Sequence, residues 1–595
     1  MIHEMSKFLC FLFASILTVQ SWSQVTFTDE AESLGINYMG KTFGSSWGDF
    51  DGDGYLDLFL SCHSNFNDVA QDDDMPVYYS YNESTMLFTA TFLDDLPSAI
   101  SGDSRTDWHG SAFFDSDRDG DLDQITMRGG TGSNVLYLNN NGVLDETNSA
   151  SGSNLENIAS SGRTPGILDI NKDGFTDLIL NASKNNNLGP PRLMTNNGDG
   201  TYDSTQYSFD WVASIFSTTN DFDGDGDIDI IRLGARPDIY ETTATAVTLA
   251  ANQPNAAKNV FDFLIEDLNG DLLPDIFSVR ADGDPKLEAS DDQTSIRSIM
   301  RVDAAETIEF RFTSLSDDVD FTIFPRSQQI QYIYVIGPMA EPIVDGELTT
   351  FTLSSDEPVI LPDFNDEAGV PHFYVRYDSI DQSWVVTVIG GNTQAASVFG
   401  LEIDGTGLLV TEDNFPDARI LGTELFYQEM NDSQTVWEEP IIEVDTDNFM
   451  SVVAADFDND MDLDLYAVRT SVVFNKENVL WENVDNTSWQ RHDGAWGATG
   501  DGPGIGENVT TVDYDNDGFM DLYVTNGSSI FWLASARTNL YKNEGNTNNW
   551  LKVVLEGDVS NTQGLHARAI LHAGGKSQLR YQDGGMHRYS QNDTR

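Results

Sequence analysis

The stretch Asp49-Phe50-Asp51-Gly52-Asp53-Gly54-Tyr55-Leu56-Asp57 places acids at positions one, three, five and nine, puts glycine at six, and runs directly into Leu58-Phe59-Leu60-Ser61. The pattern recurs six more times: DSDRDGDLD from Asp115, DINKDGFTD from Asp169, DFDGDGDID from Asp221, DLNGDLLPD from Asp267, DFDNDMDLD from Asp456 and DYDNDGFMD from Asp513. Each copy is followed by an apolar, strand-like run, such as LIL after Asp177 or LYVT after Asp521. One isolated copy leaves a solvated acidic turn open as the lesser alternative. Seven in register do not.

Alternate residues of a tight turn can aim their oxygens at one point. Calcium takes six to eight oxygens at roughly 2.3–2.6 Å, and a backbone carbonyl at position seven, such as that of Tyr55 or Phe519, adds to the side chains. The predicted ligands are Asp49, Asp51, Asp53 and Asp57 in the first loop, Asp115, Asp117, Asp119 and Asp123 in the second, and Asp169, Asn171, Asp173 and Asp177 in the third. They continue as Asp221, Asp223, Asp225 and Asp229, then Asp267, Asn269, Asp271 and Asp275, then Asp456, Asp458, Asp460 and Asp464, and finally Asp513, Asp515, Asp517 and Asp521. Up to seven calcium ions are expected, with the fifth and sixth loops weakened because Leu272 and Met461 replace the glycine that eases the turn. An EF-hand would need a glutamate at position twelve and flanking helices, and neither is present. The acidic stretch DFNDEAGVP from Asp363 lacks the acid at nine and is set aside.

First aspartates are separated by 66, 54, 52, 46, 189 and 57 residues, so the fifth interval hides an insertion. A second signal keeps the same beat: LYLNNNG from Leu136, LMTNNGDG from Leu193, LWENVDN from Leu480 and LYKNEGN from Leu540, each read as a strand entering an Asn-rich turn. About fifty residues per copy suffice for four strands, and the expected fold is an all-β, seven-bladed β-propeller. A calcium-rich β-solenoid is the rival architecture; its repeats would be shorter. The expected organisation is a signal peptide at 1–23, blades with motifs one to five at 24–286, an inserted β-sandwich-like domain at 287–440, blades with motifs six and seven at 441–548, and a partial C-terminal β domain at 549–595.

Charge bounds the partners. Lys plus Arg number 31 against 97 Asp plus Glu, a formal net charge of −66, which repels nucleic acid and anionic membranes and attracts cations. At the N-terminus, Lys7, the apolar run Phe8 to Val19 and Ser21-Trp22-Ser23 read as a secretory signal, too short to span a bilayer. Beyond it the chain holds one cysteine, Cys62, read as a buried thiol, so no internal disulfide is expected, and bound metal is one way to stabilise an exported chain without disulfides.

In the insertion, Tyr374, Tyr377 and Trp384 are either core aromatics or a glycan-binding face, the core reading being favoured. His63, His109, His372, His492, His566, His572 and His587 form no metal or nucleophile motif.

SSWGDFDGDGYLDLF and TTVDYDNDGFMDLYVTNG resemble FG-GAP or VCBS repeats of integrin alpha-subunit propellers and their bacterial relatives. The tail resembles an ASPIC/UnbV domain through Asn549-Trp550-Leu551, Gly564, Ala567-Arg568, Ala573-Gly574-Gly575, Gly584-Gly585 and Ser590-Gln591-Asn592, and its stop at Arg595 suggests a domain cut short. Together these point to the cartilage-acidic-protein-like group, which implies calcium in the loops and a secreted or cell-surface location. The expected function is extracellular binding or adhesion by a monomer without a membrane span, toward a glycan or protein ligand. A calcium-dependent extracellular polysaccharide lyase or hydrolase is the alternative.

Overall fold

A computed structural model describes residues 25–62, 76–92, 108–128, 134–145, 155, 162–182, 192–204, 214–234, 236–243, 245–256, 260–281, 286–290, 292–302, 306–325, 332–336, 341–345, 349–356, 372–390, 397–415, 423–431, 434–438, 447–469, 477–500, 506–526 and 536–594. The expected leader, His63 and the acidic stretch from Asp363 lie outside the described residues.

Strand is nearly everything. Helix among the described residues is limited to the turn Ala31–Leu34 and the 3-10 turn Ala495–Gly497. Each acidic motif joins the first two strands of an antiparallel sheet, and seven such sheets follow one another along the chain. The first strands are Thr42–Gly48, Trp108–Phe114, Gly162–Leu168, Ser217–Asn220, Val260–Glu266, Phe449–Ala455 and Gly506–Val512. Every one ends at the residue before a motif's first aspartate. Every second strand begins on the ninth: Asp57–Cys62, Asp123–Arg128, Asp177–Ala182, Asp229–Leu233, Asp275–Arg280, Asp464–Arg469 and Asp521–Asn526. The second strands are almost wholly buried on both faces, which is why they read as unbroken apolar runs and not as alternation.

Neighbouring sheets pack in chain order through their first strands, except that the fourth meets the fifth through its second strand Asp229–Leu233, and the seventh first strand packs back on the first, so the succession of contacts returns to its start. Small polar residues make the close approaches. Ser46 Oγ lies 2.7 Å from Ser111 Oγ, Asn181 Nδ2 donates to Ser217 Oγ at 3.0 Å, and Ser451 Oγ donates to Asp262 Oδ2 at 2.7 Å. Trp47 Nε1 donates to Thr510 Oγ1 at 2.9 Å between the first and seventh sheets. The seventh sheet takes its fourth strand, Phe27–Asp29, from the other end of the chain, with Phe27 opposite Asn543.

The insertion leaves the fifth sheet after Arg280 and returns at Thr423, where Val279 pairs with Thr423. Its strands form a five-stranded and a six-stranded sheet that share one core. Trp384, 2% exposed, lies in that core, stacked on Phe312, and Tyr377 packs edge-on against it. Trp384 is therefore unavailable as a glycan platform. The boundary at 440 also moves: Thr423–Asn431 and Gln434–Glu438 are the third and fourth strands of the fifth sheet. They follow no metal motif, and their alternating pattern matches that of the sandwich strands before them.

Residues 549–594 add a hairpin, Arg568–Ala573 with Lys576–Tyr581, and the short pair Met586–His587 and Ser590–Gln591. Leu565 and Met586 join the core between the second and third sheets. The stretch 583–593 crosses the first strands of all seven sheets. Thr218 Oγ1 donates to Asp583 Oδ2 at 2.9 Å, Arg588 N to Asp262 Oδ1 at 3.3 Å, Arg588 NH1 to Met450 O at 3.1 Å, and Tyr589 N to Thr164 Oγ1 at 2.9 Å. Ser45 N donates to Ser590 Oγ at 3.1 Å, Phe113 N to Gln591 Oε1 at 2.7 Å, and Thr511 N to Asn592 Oδ1 at 3.0 Å. Glycine at 44 is required by this approach, since a Cβ there would lie 1.9 Å from Tyr589 O.

Candidate metal centres

The seven loops share one backbone course. Position six has positive φ in every copy: 93° at Gly54, 96° at Gly120, 89° at Gly174, 87° at Gly226, 68° at Leu272, 81° at Met461 and 85° at Gly518. The reversal turns the position-six N–H back onto the first aspartate, as in Gly54 N to Asp49 Oδ2 at 2.9 Å, Gly174 N to Asp169 Oδ2 at 3.0 Å and Met461 N to Asp456 Oδ2 at 2.9 Å. Leu272 and Met461 adopt the same geometry with a Cβ in the left-handed region, so the strain expected there is present. Position four is left-handed in all seven as well, at Gly52, Arg118, Lys172, Gly224, Gly270, Asn459 and Asn516, a regularity that the mixed residue types conceal in the sequence.

This course gathers carboxylates. Ligand oxygens lie within 4.8 Å of one another in Asp49, Asp51 and Asp53; in Asp115, Asp117 and Asp123; in Asp221, Asp223 and Asp225; in Asp456, Asp458 and Asp460; and in Asp513, Asp515 and Asp521. In the third and fifth loops position three is an amide. There Asn171 Nδ2 donates to Asp173 Oδ2 at 2.9 Å, and Asn269 Nδ2 to Asp271 Oδ2 at 3.3 Å. Side-chain cations stand at the edge of three loops: Lys172 Nζ lies 2.8 Å from Asp227 Oδ1 in the fourth, Lys576 Nζ lies 3.2 Å from Asp462 Oδ2 in the sixth, and in the seventh Lys542 bonds Asp515 while Lys552 Nζ lies 3.4 Å from Asp513 Oδ2.

The ninth aspartate has a structural duty in addition. In all seven copies its Oδ1 accepts a backbone N–H of the third strand, from Tyr81, Asn139, Asn196, Thr242, Gln428, Asn483 and Asn543. In six its Oδ2 accepts the N–H of position two. Burial, reinforced by the neighbouring carboxylates, pushes Asp57 and Asp275 up to about 8 and Asp177 and Asp229 up to about 7, despite these bonds. Burial, with a smaller push from the Asp117 carboxylate, raises Asp123 to about 7 against the hydrogen bonds from Ser116 and Asn139. A donor set of oxygens only, crowded and partly desolvated, fits a hard divalent cation, whose charge would remove the cost of ionising it.

The Asn-rich signal has a use that the sequence reading missed. In five copies the side chain of the same third-strand residue whose N–H bonds the ninth aspartate reaches across to the previous sheet's loop. Asn139 Nδ2 donates to Phe50 O at 2.5 Å, Asn196 to Ser116 O at 2.7 Å, Asn483 to Leu268 O at 3.0 Å and Asn543 to Phe457 O at 2.8 Å. Gln428 Nε2 does the same to Phe222 O at 2.6 Å in the fifth sheet. At five junctions, therefore, position two of one loop is tied to the third strand of the next sheet.

Residues 169–232 match the model of an FG-GAP-like repeat, a span that runs from the third loop through the fourth and into the fourth sheet's second strand. FG-GAP repeats are found in extracellular adhesion-type proteins. No curated protein matches the sequence. Solved structures similar to parts of it include the following two. One is a lectin of Agrocybe aegerita, described for specific recognition of non-reducing terminal N-acetylglucosamine, 16% identical over 44% of this chain and 64% of its own, with a TM-score of 0.28. The other is BBS1N in complex with ARL6DN, 7% identical over 87% of this chain and 97% of its own, with a TM-score of 0.32. At these scores neither likeness decides anything about this chain. No helix among the described residues is long and apolar enough to cross a membrane.

Proposed function

We propose that the chain is a seven-bladed β-propeller that binds calcium in its acidic loops and acts outside the cell as a binding protein for a glycan or protein ligand. The observation that carries this reading is the regular placement of the seven motifs, each between the first and second strands of a sheet that packs on the next. Seven sheets in cyclic contact leave few open edges, and a strand from residues 27–29 completing the last sheet is the natural closure of such a ring. Calcium would then fix the hairpins on one face, leaving loops elsewhere to meet the ligand. The FG-GAP-like match supports an extracellular binding role, and the apolar segment at 8–19 supports export.

The test has two parts. Ligand that binds only the folded state adds roughly 2.7 kcal/mol per site at a hundredfold excess over Kd. Melting should therefore rise steeply with calcium and fall with chelator; a melting temperature indifferent to both removes calcium from the reading. Retention on a panel of immobilised acidic and neutral polysaccharides, scored together with new chain ends, then separates binder from enzyme. Calcium-dependent cleavage would replace the binding reading with the lyase or hydrolase one.

A further inference from the structure

Between the fourth sheet and the C-terminal segment lies a cavity of about 60 Å³, lined by Thr219, Asn220, Asp221, Arg568, Tyr581 and Asp583 among others. Three of its oxygens are shielded from solvent and have no hydrogen-bond partner: Thr219 Oγ1, Asn220 Oδ1 and Asp221 Oδ1. Thr219 and Asn220 are only 3% and 4% exposed. The position is unusual in the repeat. Preceding the first aspartate, the other sheets carry Gly48, Phe114, Leu168, Glu266, Ala455 and Val512, and the only other polar residue, Glu266 in the adjoining sheet, also has a shielded oxygen without a partner.

A water needs roughly 10–15 Å³ of such space, so the cavity admits several water-sized occupants. The occupant must satisfy the amide oxygen of Asn220 and face the carboxylates of Asp221 and Asp583. Asp583 already accepts from Thr218 Oγ1 and Gly585 N, which orients it and leaves its remaining lone pairs for another partner. The one guanidinium in the lining is engaged elsewhere, since Arg568 donates to Leu272 O and lies over the Tyr581 ring. Asp223, Asp225 and Asp229 do not line the cavity, so it is distinct from the centre of the fourth loop.

We infer that this cavity is a further cation site, holding a hydrated divalent ion against Asn220 Oδ1, Asp221 and Asp583, and that the ion fastens the C-terminal segment to the fourth sheet. The site adjoins the ion assigned to the fourth loop and shares Asp221 with it, so the variants are chosen to count the two separately. Bound calcium or manganese per full-length chain is counted by elemental analysis after equilibrium dialysis, for the wild type, Asn220→Leu, Asp583→Asn and the loop variant Asp223→Asn/Asp225→Asn. Asn220→Leu and Asp583→Asn should each lower the count by one, the loop variant should lower it by one, and Asn220→Leu combined with the loop variant should lower it by two. Tryptic cleavage within 568–580 should become about tenfold faster in Asn220→Leu and Asp583→Asn while the melting of the sheets persists. Counts unchanged in both single variants, with the loop variant still losing one, would overturn this inference alone and leave water in the cavity. A wild-type chain that binds no divalent ion would overturn both this site and the calcium loops. Should Asn220→Leu fail to fold, the conservative Asp583→Asn decides.

Discussion

Replacing Asn543 should loosen the joint between the sixth and seventh sheets far more than its size suggests. Its Nδ2 donates to Phe457 O at 2.8 Å and to Met520 O at 3.2 Å, and its Oδ1 accepts from Gly545 N at 2.9 Å. The residue has no exposed surface, so water does not take over these bonds in the folded state. Three bonds at about 1 kcal/mol each give a cost of about 3 kcal/mol for Asn543→Ala. Asn543→Asp should cost more, because a carboxylate would then face two carbonyl oxygens that need donors. The assay is amide hydrogen exchange in Asn539–Asn543 and Phe449–Ala455, where about 3 kcal/mol corresponds to roughly hundredfold faster opening. Pairing Asn543→Ala with Asn196→Ala, which serves a different junction, should give additive effects. An acceleration below about tenfold, or Asp better tolerated than Ala, would refute the clamp.

Met461→Gly should stabilise the protein by about 1 kcal/mol, read as a higher denaturant midpoint, because φ is 81° there and a Cβ is disfavoured in that region; a lower midpoint would contradict the strain argument. Stability should respond to pH in opposite senses with and without metal. Asp57, Asp123, Asp177, Asp229 and Asp275 have folded values raised to about 7 or 8, above the ordinary unfolded value near 3.9, so their contribution in metal-free protein is present in acid and lost as pH rises from about 4 through 8. Ligated carboxylates must be ionised, so the calcium form should weaken as pH falls, and calcium binding at pH 7 should release protons, seen as a buffer-dependent heat. Metal-free melting that rises from pH 5 to 8 would sink this account. The Cys62 thiol, 0% exposed in the second strand of the first sheet, should react with thiol reagents at the rate of unfolding; rapid labelling of native protein would show otherwise.

The loops and the strands that flank them are legible from nine residues at a time, because ligand geometry demands a fixed spacing and a burst of apolar residues must follow. The third strands are half legible: LYLNNNG and its relatives mark them, but the partner of the first asparagine, such as Phe50 for Asn139, is 89 residues away. Where Gln428 replaces asparagine the signal is absent although the bond remains. The end of the insertion was misjudged because Thr423–Glu438 carries no motif of its own. Least legible is the C-terminal segment. Arg588, Tyr589, Ser590 and Gln591 bond to residues between 80 and 545 positions away, and no local pattern encodes such partners.

The crossing of all seven inner strands by residues 583–593 sets an order of assembly. A chain made from its N-terminus can pair the strands of each sheet as they emerge, since most pairs are neighbours in sequence. It cannot join the seven first strands through residues 583–593 until those residues have been made, and Thr42–Gly48, among the earliest strands, waits through more than five hundred residues for Ser590. This contact is thus later than the pairing of the sheets, and it gathers seven of them at once. The interval before it is the time during which the half-built molecule is most open to proteases and to mispairing with another copy of itself.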